Sequence, residues 1–184
     1  MTAALKEWSA IVRALVLGEQ TIILRKGGIA EGRGGFQPQA GRFWLFPTRF
    51  HAQPAKLKPA AAPLLELDAA AADPSTVTLS GYAEIVASTF VPDWPRLVAL
   101  DGFHLWTEAT VRDRYDWSRP PGVTVLIVRI HRLIAPLTLS PTAEMGGCKS
   151  WIELPLDPSA HPAVTALDDR VFAAQAERIR AVLR

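Results

Sequence analysis

Residues 20–36, QTIILRKGGIAEGRGGF, end an apolar run in Arg25, Lys26 and a glycine-rich stretch. Glycines after a strand can turn backbone N–H groups onto a phosphate, and two adjacent cations would strengthen that grip. The two standard phosphate loops do not match. A P-loop needs a lysine and a hydroxyl after its last glycine, at the start of a helix, and GGIAEGRGG has neither. Nor is it the dinucleotide fingerprint followed by a helix. Two readings stay open: an anion contact through Arg25, Lys26, Gly27 and Gly28, or a hairpin carrying solvated charges.

Other cations and rings extend the first reading. Thr48, Arg49 and His51 lie at and just beyond the end of FWLFPT, and Arg112 and Arg114 follow HLWT. Arg129, His131 and Arg132 lie in a long apolar segment, and Ser150 precedes Trp151 in GGCKSW. Aromatic rings among arginines and lysines are what a single-stranded nucleic acid requires, as stacking platforms beside phosphate contacts. Trp44, Trp106 and Trp151 are candidate platforms, with His104 beside Trp106. Tryptophans in a domain of this size also serve as core, so the set acts together only if the fold brings it to one face.

Other chemistries find less. The histidines are His51, His104, His131 and His161, and no two stand at the spacing that puts a metal-binding pair on one helix face. No metal and no cofactor is expected. Cys148 sits between glycines and Lys149, which could expose and activate a thiol, but a nucleophile needs a histidine delivered by the fold. A lone small residue near a strand start is the plainer use. Metal-dependent restriction-type nucleases place an acid and a lysine two residues apart, and no Glu-x-Lys or Asp-x-Lys occurs.

The positioning elements follow from periodicity. Leu5, Trp8, Ile11, Val12 and Leu15 predict a helix over 3–17, closed by Gly18. TIILRK and FWLFPT predict strands, with Pro47 ending regular pairing of the second. Six of the twelve glycines fall in 27–42, a connection or long hairpin. Residues 54–75 read as a partly helical linker or insertion between prolines. VTLSGYAEIVAS is a strand with Gly81 a candidate bulge, and 94–100 a short helix. Thr107 caps a helix through Val111 and Tyr115, with Glu108 at its positive end. GVTVLIVRIHRLI is apolar on both faces and therefore an interior strand, and KSWIELP is the last strand. Pro162, with His161 before it, opens a terminal helix striped by Val164, Leu167, Val171, Ile179 and Val182.

Strands do not alternate regularly with long helices, which disfavours a doubly wound sheet. The expected class is α+β: a curved, mostly antiparallel sheet or small PUA-like barrel with peripheral helices and a C-terminal helix. Residues 1–158 form one domain and 159–184 a helix packed on it. The 184 residues suffice for one buried core, and a 49% hydrophobic, 21% charged composition excludes wholesale disorder. A net charge of +2 permits nucleic-acid binding without arguing for it, and a single cysteine excludes an internal disulfide. No apolar run approaches the roughly 20 residues that span a bilayer, and MTAALKEW lacks a secretion-signal pattern. A cytoplasmic protein with no membrane partner is expected.

ALKEW at 4–8, ILRKGGI at 23–29, FWLFPTRFHAQ at 43–53, LKP at 57–59, FHLWTEATVRDR at 103–114 and GGCKSWIELP at 146–155 resemble the prokaryotic domain of unknown function 1802 family, in order and over nearly the whole chain. Some members of that family are associated with an Mrr-type restriction endonuclease domain, which implies a restriction-modification or DNA-processing role. LGEQTIILRKGG and the order of elements are also similar to PUA-like and ASCH barrels, which often bind RNA or modified bases beside the first helix. That resemblance implies that Arg25 and Lys26 stand at the mouth of a cleft. Three functions are expected: a module binding DNA or RNA, an enzyme with a His-, Cys- and Trp-lined pocket, or a non-catalytic interaction protein.

Overall fold

The computed structural model describes residues 1–26, 36–49, 54–70, 75–147 and 149–184. Its first element corrects the sequence expectation. Residues Thr2–Trp8 are a strand, β1, and only Ser9–Leu17 form a helix, α1. Ala3, Ala4, Lys6 and Glu7 are compatible with helix, but β1 runs parallel to β3 (Arg42–Thr48) and antiparallel to β6 (Trp151–Leu154). Nonlocal pairing thus overrides a local period. α1 does end at Gly18, whose φ of 78° is the left-handed conformation suited to glycine.

The remaining elements are β2 (Ile22–Arg25), α2 (Ala62–Ala70), β4 (Val77–Val91), α3 (Trp94–Ala99), α4 (Glu108–Trp117), β5 (Val123–Leu139), β7 (Ala163–Thr165) and α5 (Asp169–Leu183). Among the described residues the sheet runs β2-β5-β4-β3-β1-β6, with β7 beside the second half of β5. Every pair is antiparallel except β1–β3. β5 is the interior strand expected, flanked by β4 on one side and by β2 and β7 on the other. Its register with β4 shifts between Leu79 and Gly81, the bulge foreseen at that glycine.

Three details differ from expectation. Pro47 does not end pairing: it lies opposite Glu7 of β1, while β4 pairs with β3 only as far as Trp44, so no ladder donor is missed on that side. KSWIELP contains a four-residue edge strand but not the last one, because β7 follows. Pro162 and His161 do not open the terminal helix. Val164 belongs to β7, and α5 starts at its N-cap Asp168, whose carboxylate accepts from Val171 N.

β3 explains why FWLF is apolar throughout. Phe43 and Leu45 enter the main core with Leu5, Ile11, Leu15 and Val125, while Trp44 and Phe46 enter a second core with Ala4, Leu79, Tyr82 and Leu154. Both faces of this strand are covered. The sheet also curls. Arg25, at the end of edge strand β2, donates through Nη1 to Lys6 O of β1 at 3.2 Å, although three strands separate β2 and β1 in the sheet order. Among the described residues no helix is long and apolar enough to cross a membrane.

Candidate functional site

Where the curled, open sheet brings the end of β2 near β1, β1 contributes Glu7. Its side chain is 1% exposed, and Oε2 lies 3.4 Å from Arg25 Nη1. Arg25 Nη2 donates to Ser150 Oγ at 2.7 Å, Thr48 Oγ1 donates to Glu7 O at 3.0 Å, and Glu7 Oε1 accepts from Trp8 N at 2.9 Å. The Arg25 guanidinium also lies 5.3 Å from the Phe36 ring, which stacks on Trp151. Of the residues expected to touch nucleic acid, Arg25 thus pairs with a buried carboxylate, Ser150 accepts from Arg25, Thr48 bonds the Glu7 backbone, and Trp151 lies behind Phe36. A buried charge persists only when paired and hydrogen-bonded, and this set provides both. Arg25 is committed to closing the fold.

Lys26, the next residue, faces a different environment. Its Nζ lies 4.0 Å from the centre of the Trp117 ring, at one wall of a cleft of about 780 Å³. α4, which carries Trp117, builds much of the lining. Thr107 caps it, its hydroxyl accepting from Thr110 N at 3.3 Å, and Thr110 Oγ1 donates to Lys56 O at 3.0 Å. Lys58 N to Leu105 O and Thr107 N to Lys56 O then tie segment 56–58 alongside 105–107. Thr110, Asp113, Arg114 and Trp117 recur at i, i+3, i+4 and i+7, so one face of α4 lines the cleft. Lys26, Lys56, Arg114 and Arg119 supply its positive charge, Asp113 and Asp116 its negative charge, and Trp8 and Trp117 its rings.

Arg114 joins the two regions. Its guanidinium lies 3.7 Å from the centre of the Trp106 ring and donates to Leu24 O at 2.8 Å, and Trp106 meets Trp8 edge-on at 4.7 Å. Burial lowers its pKa to about 10, with Arg25 adding to that effect and Glu7 opposing it, so it remains a cation at neutral pH. The Lys26 ammonium is also pulled below its ordinary value, first by desolvation and then by Arg114, Arg25 and Lys56, against Asp113. A group held this way gains from a bound anion.

The other expected residues lie elsewhere. Trp44 and Trp106 are fully buried and Trp151 nearly so, so all three are core rather than surface platforms. His104 is buried, its pKa pushed down to about 4 by burial first and then by Lys58. It is a neutral interior group, and it does not contact the cleft. Arg112 pairs with Asp116 at 2.8 Å and lies against Trp94 and Tyr115 on the outer side of α4. Arg49 is exposed past β3 and outside the cleft lining. Arg129 pairs with Asp169, His131 stacks on Tyr82, and His161 meets Trp44 edge-on. Gly27, Gly28, His51 and Cys148 lie outside the described residues. Among the described residues no group of three His, Cys, Asp or Glu could hold a metal.

Sequence reasoning missed Glu7, Trp8, Lys56, Asp113 and Trp117. The last two had a signal: Asp113 lies inside the Thr107-capped helix, and extending that helix by two residues past Tyr115 puts Trp117 on the same face as Arg114. Glu7 had none, because a helical reading of 3–17 places it on a solvated side.

The comparisons agree with this architecture. A family model described as domain of unknown function (DUF1802) matches residues 4–178. Among solved structures, the ASCH protein of Zymomonas mobilis is similar at 17% identity, with a TM-score of 0.50 over 86% of this chain and 90% of that one. A mutant of the same protein gives 18% identity and a TM-score of 0.51, over 86% and 93%. Identity this low shows the fold alone, and that fold is the ASCH-like arrangement expected from LGEQTIILRKGG. No curated protein matches the chain.

Proposed function

This chain belongs to the domain of unknown function 1802 family, and from that premise we propose that its cleft binds single-stranded nucleic acid. The observation that carries the reading is Trp117. It is 52% exposed, with Lys26 over one face of its ring, at a cleft lined by three further cations. An exposed ring beside cations is the pairing that a nucleotide strand uses, a base on the ring and phosphates on the charges. The Asp116 carboxylate is partly neutralised by Arg112 from outside the cleft, which leaves the lining cationic. The ASCH and PUA-like fold is also a nucleic-acid-binding kind, which supports the same reading. Strand binding of this sort suits an accessory in DNA processing or restriction-modification.

The test is fluorescence-anisotropy titration of labelled single- and double-stranded DNA and RNA across a salt series. Single strands should bind, with affinity falling as salt rises, because phosphate contacts release counterions. No binding at low salt, or binding indifferent to salt, would overturn the reading.

A further inference from the structure

We infer that Asp113 makes the cleft selective for guanine, reading the base that stacks on Trp117. The inference rests on the nucleic-acid reading above and concerns which base the site takes. It follows from which polar groups in the cleft are already engaged. Arg114 is held by Leu24 O and the Trp106 ring. The Thr110 hydroxyl is shared between Lys56 O and the Thr107 hydroxyl. Asp116 accepts from Arg112, and Arg119 donates to Asp116 O and Ser118 O. Lys26 and Lys56 are point charges suited to phosphate. Asp113 is exposed, lines the cleft, acts on Lys26 through its charge, and makes no hydrogen bond among the described residues.

Position adds to this. Asp113 stands four residues before Trp117 on α4, one helical turn along the same face. Residues one turn apart, about 5.4 Å along the axis, are neighbours on a helix surface, so the carboxylate and the ring border the same part of the cleft. An ionised carboxylate is an acceptor only, so it selects an edge that donates. Adenine and cytosine each offer one amino group beside an acceptor nitrogen. Uracil and thymine offer one N–H between two carbonyl oxygens, which a carboxylate repels. Guanine alone offers two adjacent donors, N1–H and the N2 amino group, matching both carboxylate oxygens.

The experiment uses labelled uridine hexamers carrying one central guanosine, inosine, adenosine or uridine. Binding is measured in EDTA, so that no divalent ion bridges carboxylate and phosphate. Wild-type protein should bind the guanosine strand about tenfold tighter than the all-uridine strand, the discrimination of one bidentate contact. Inosine, which lacks the N2 amino group, should fall between. Asp113→Asn should lose the preference for the guanosine strand, and its Tm should match wild type because the side chain is exposed. Trp117→Ala should weaken all four strands together. Wild-type affinities within twofold of one another, or a guanosine preference that survives in Asp113→Asn, would overturn the inference while leaving the cleft standing. Absence of binding to every strand at low salt would instead overturn the nucleic-acid reading, and the inference with it.

Discussion

The closure around Glu7 and the cleft around Trp117 meet at two consecutive residues. Arg25 is turned inward, its guanidinium divided among Glu7, Ser150 and Lys6 O. Lys26 is turned outward over an exposed ring. A single RK dipeptide thus supplies one cation whose partners are all within the fold and one that remains available to a ligand. The difference lies in where β2 ends. Arg25 is the last residue of the strand and pairs with Thr124, while Lys26 has left the ladder. Charge counted along a sequence therefore overstates a binding surface, because cations at strand ends can be consumed in closing a curved sheet.

Five substitutions would break or sharpen that contrast. The largest effect belongs to the closure. Glu7→Ala leaves the half-buried Arg25 without its carboxylate and should cost about 3 kcal/mol. In a chain of this size that lowers Tm by about 9 °C, readable by thermal denaturation. Arg25→Ala should behave similarly, so a double Arg25, Lys26 variant would confound folding with binding.

Next comes His104, which sequence placed among the ligand contacts and the structure places in the scaffold. Its pKa is lowered to about 4 in the fold, by burial first, against an ordinary value of 6.5. The unfolded chain therefore takes up more protons between those values, and stability drops as pH falls from about 6.5 toward 4. His104 should account for about 2–3 kcal/mol across that window. Denaturant unfolding at several pH values should show a shallower pH slope in His104→Gln than in wild type. An unchanged slope would remove His104 from the interior set.

The cleft variants should show smaller effects, and in affinity rather than stability. Trp117→Ala should weaken single-strand binding by about 1.5 kcal/mol, the loss of one base stack, with Tm unchanged. Lys26→Ala should weaken it about threefold and flatten the log–log salt dependence by about 0.7, one phosphate contact on a single strand. If Lys26→Ala instead lowered Tm as Glu7→Ala does, the distinction between the two cations would fail.

Much of this architecture was legible before the structure. The apolar density of GVTVLIVRIHRLI marks an interior strand because both its faces are packed. Thr107 marks a helix start because a hydroxyl there meets a free backbone N–H. β1 was not legible. Leu5 and Trp8 fall in phase with Ile11 and Leu15, and only partners some 40 and 150 residues away make Thr2–Trp8 a strand. The site suffered from the same cause. With β1 read as helix, Glu7 has no reason to be buried, and without Glu7 nothing distinguishes Arg25 from Lys26. The tryptophans misled for another reason: Trp106 stands two residues after a histidine and before a helix with two arginines, yet the ring is fully buried and Trp117 is the exposed one.

The most direct test of the cleft is photo-crosslinking of a single strand carrying 5-iodouracil, followed by mass spectrometry of the tryptic peptides. The account predicts a crosslink in the peptide that begins after Arg114 and contains Trp117, lost in Trp117→Ala. Crosslinks confined to peptides outside the cleft, or retained in that variant at full yield, would contradict it.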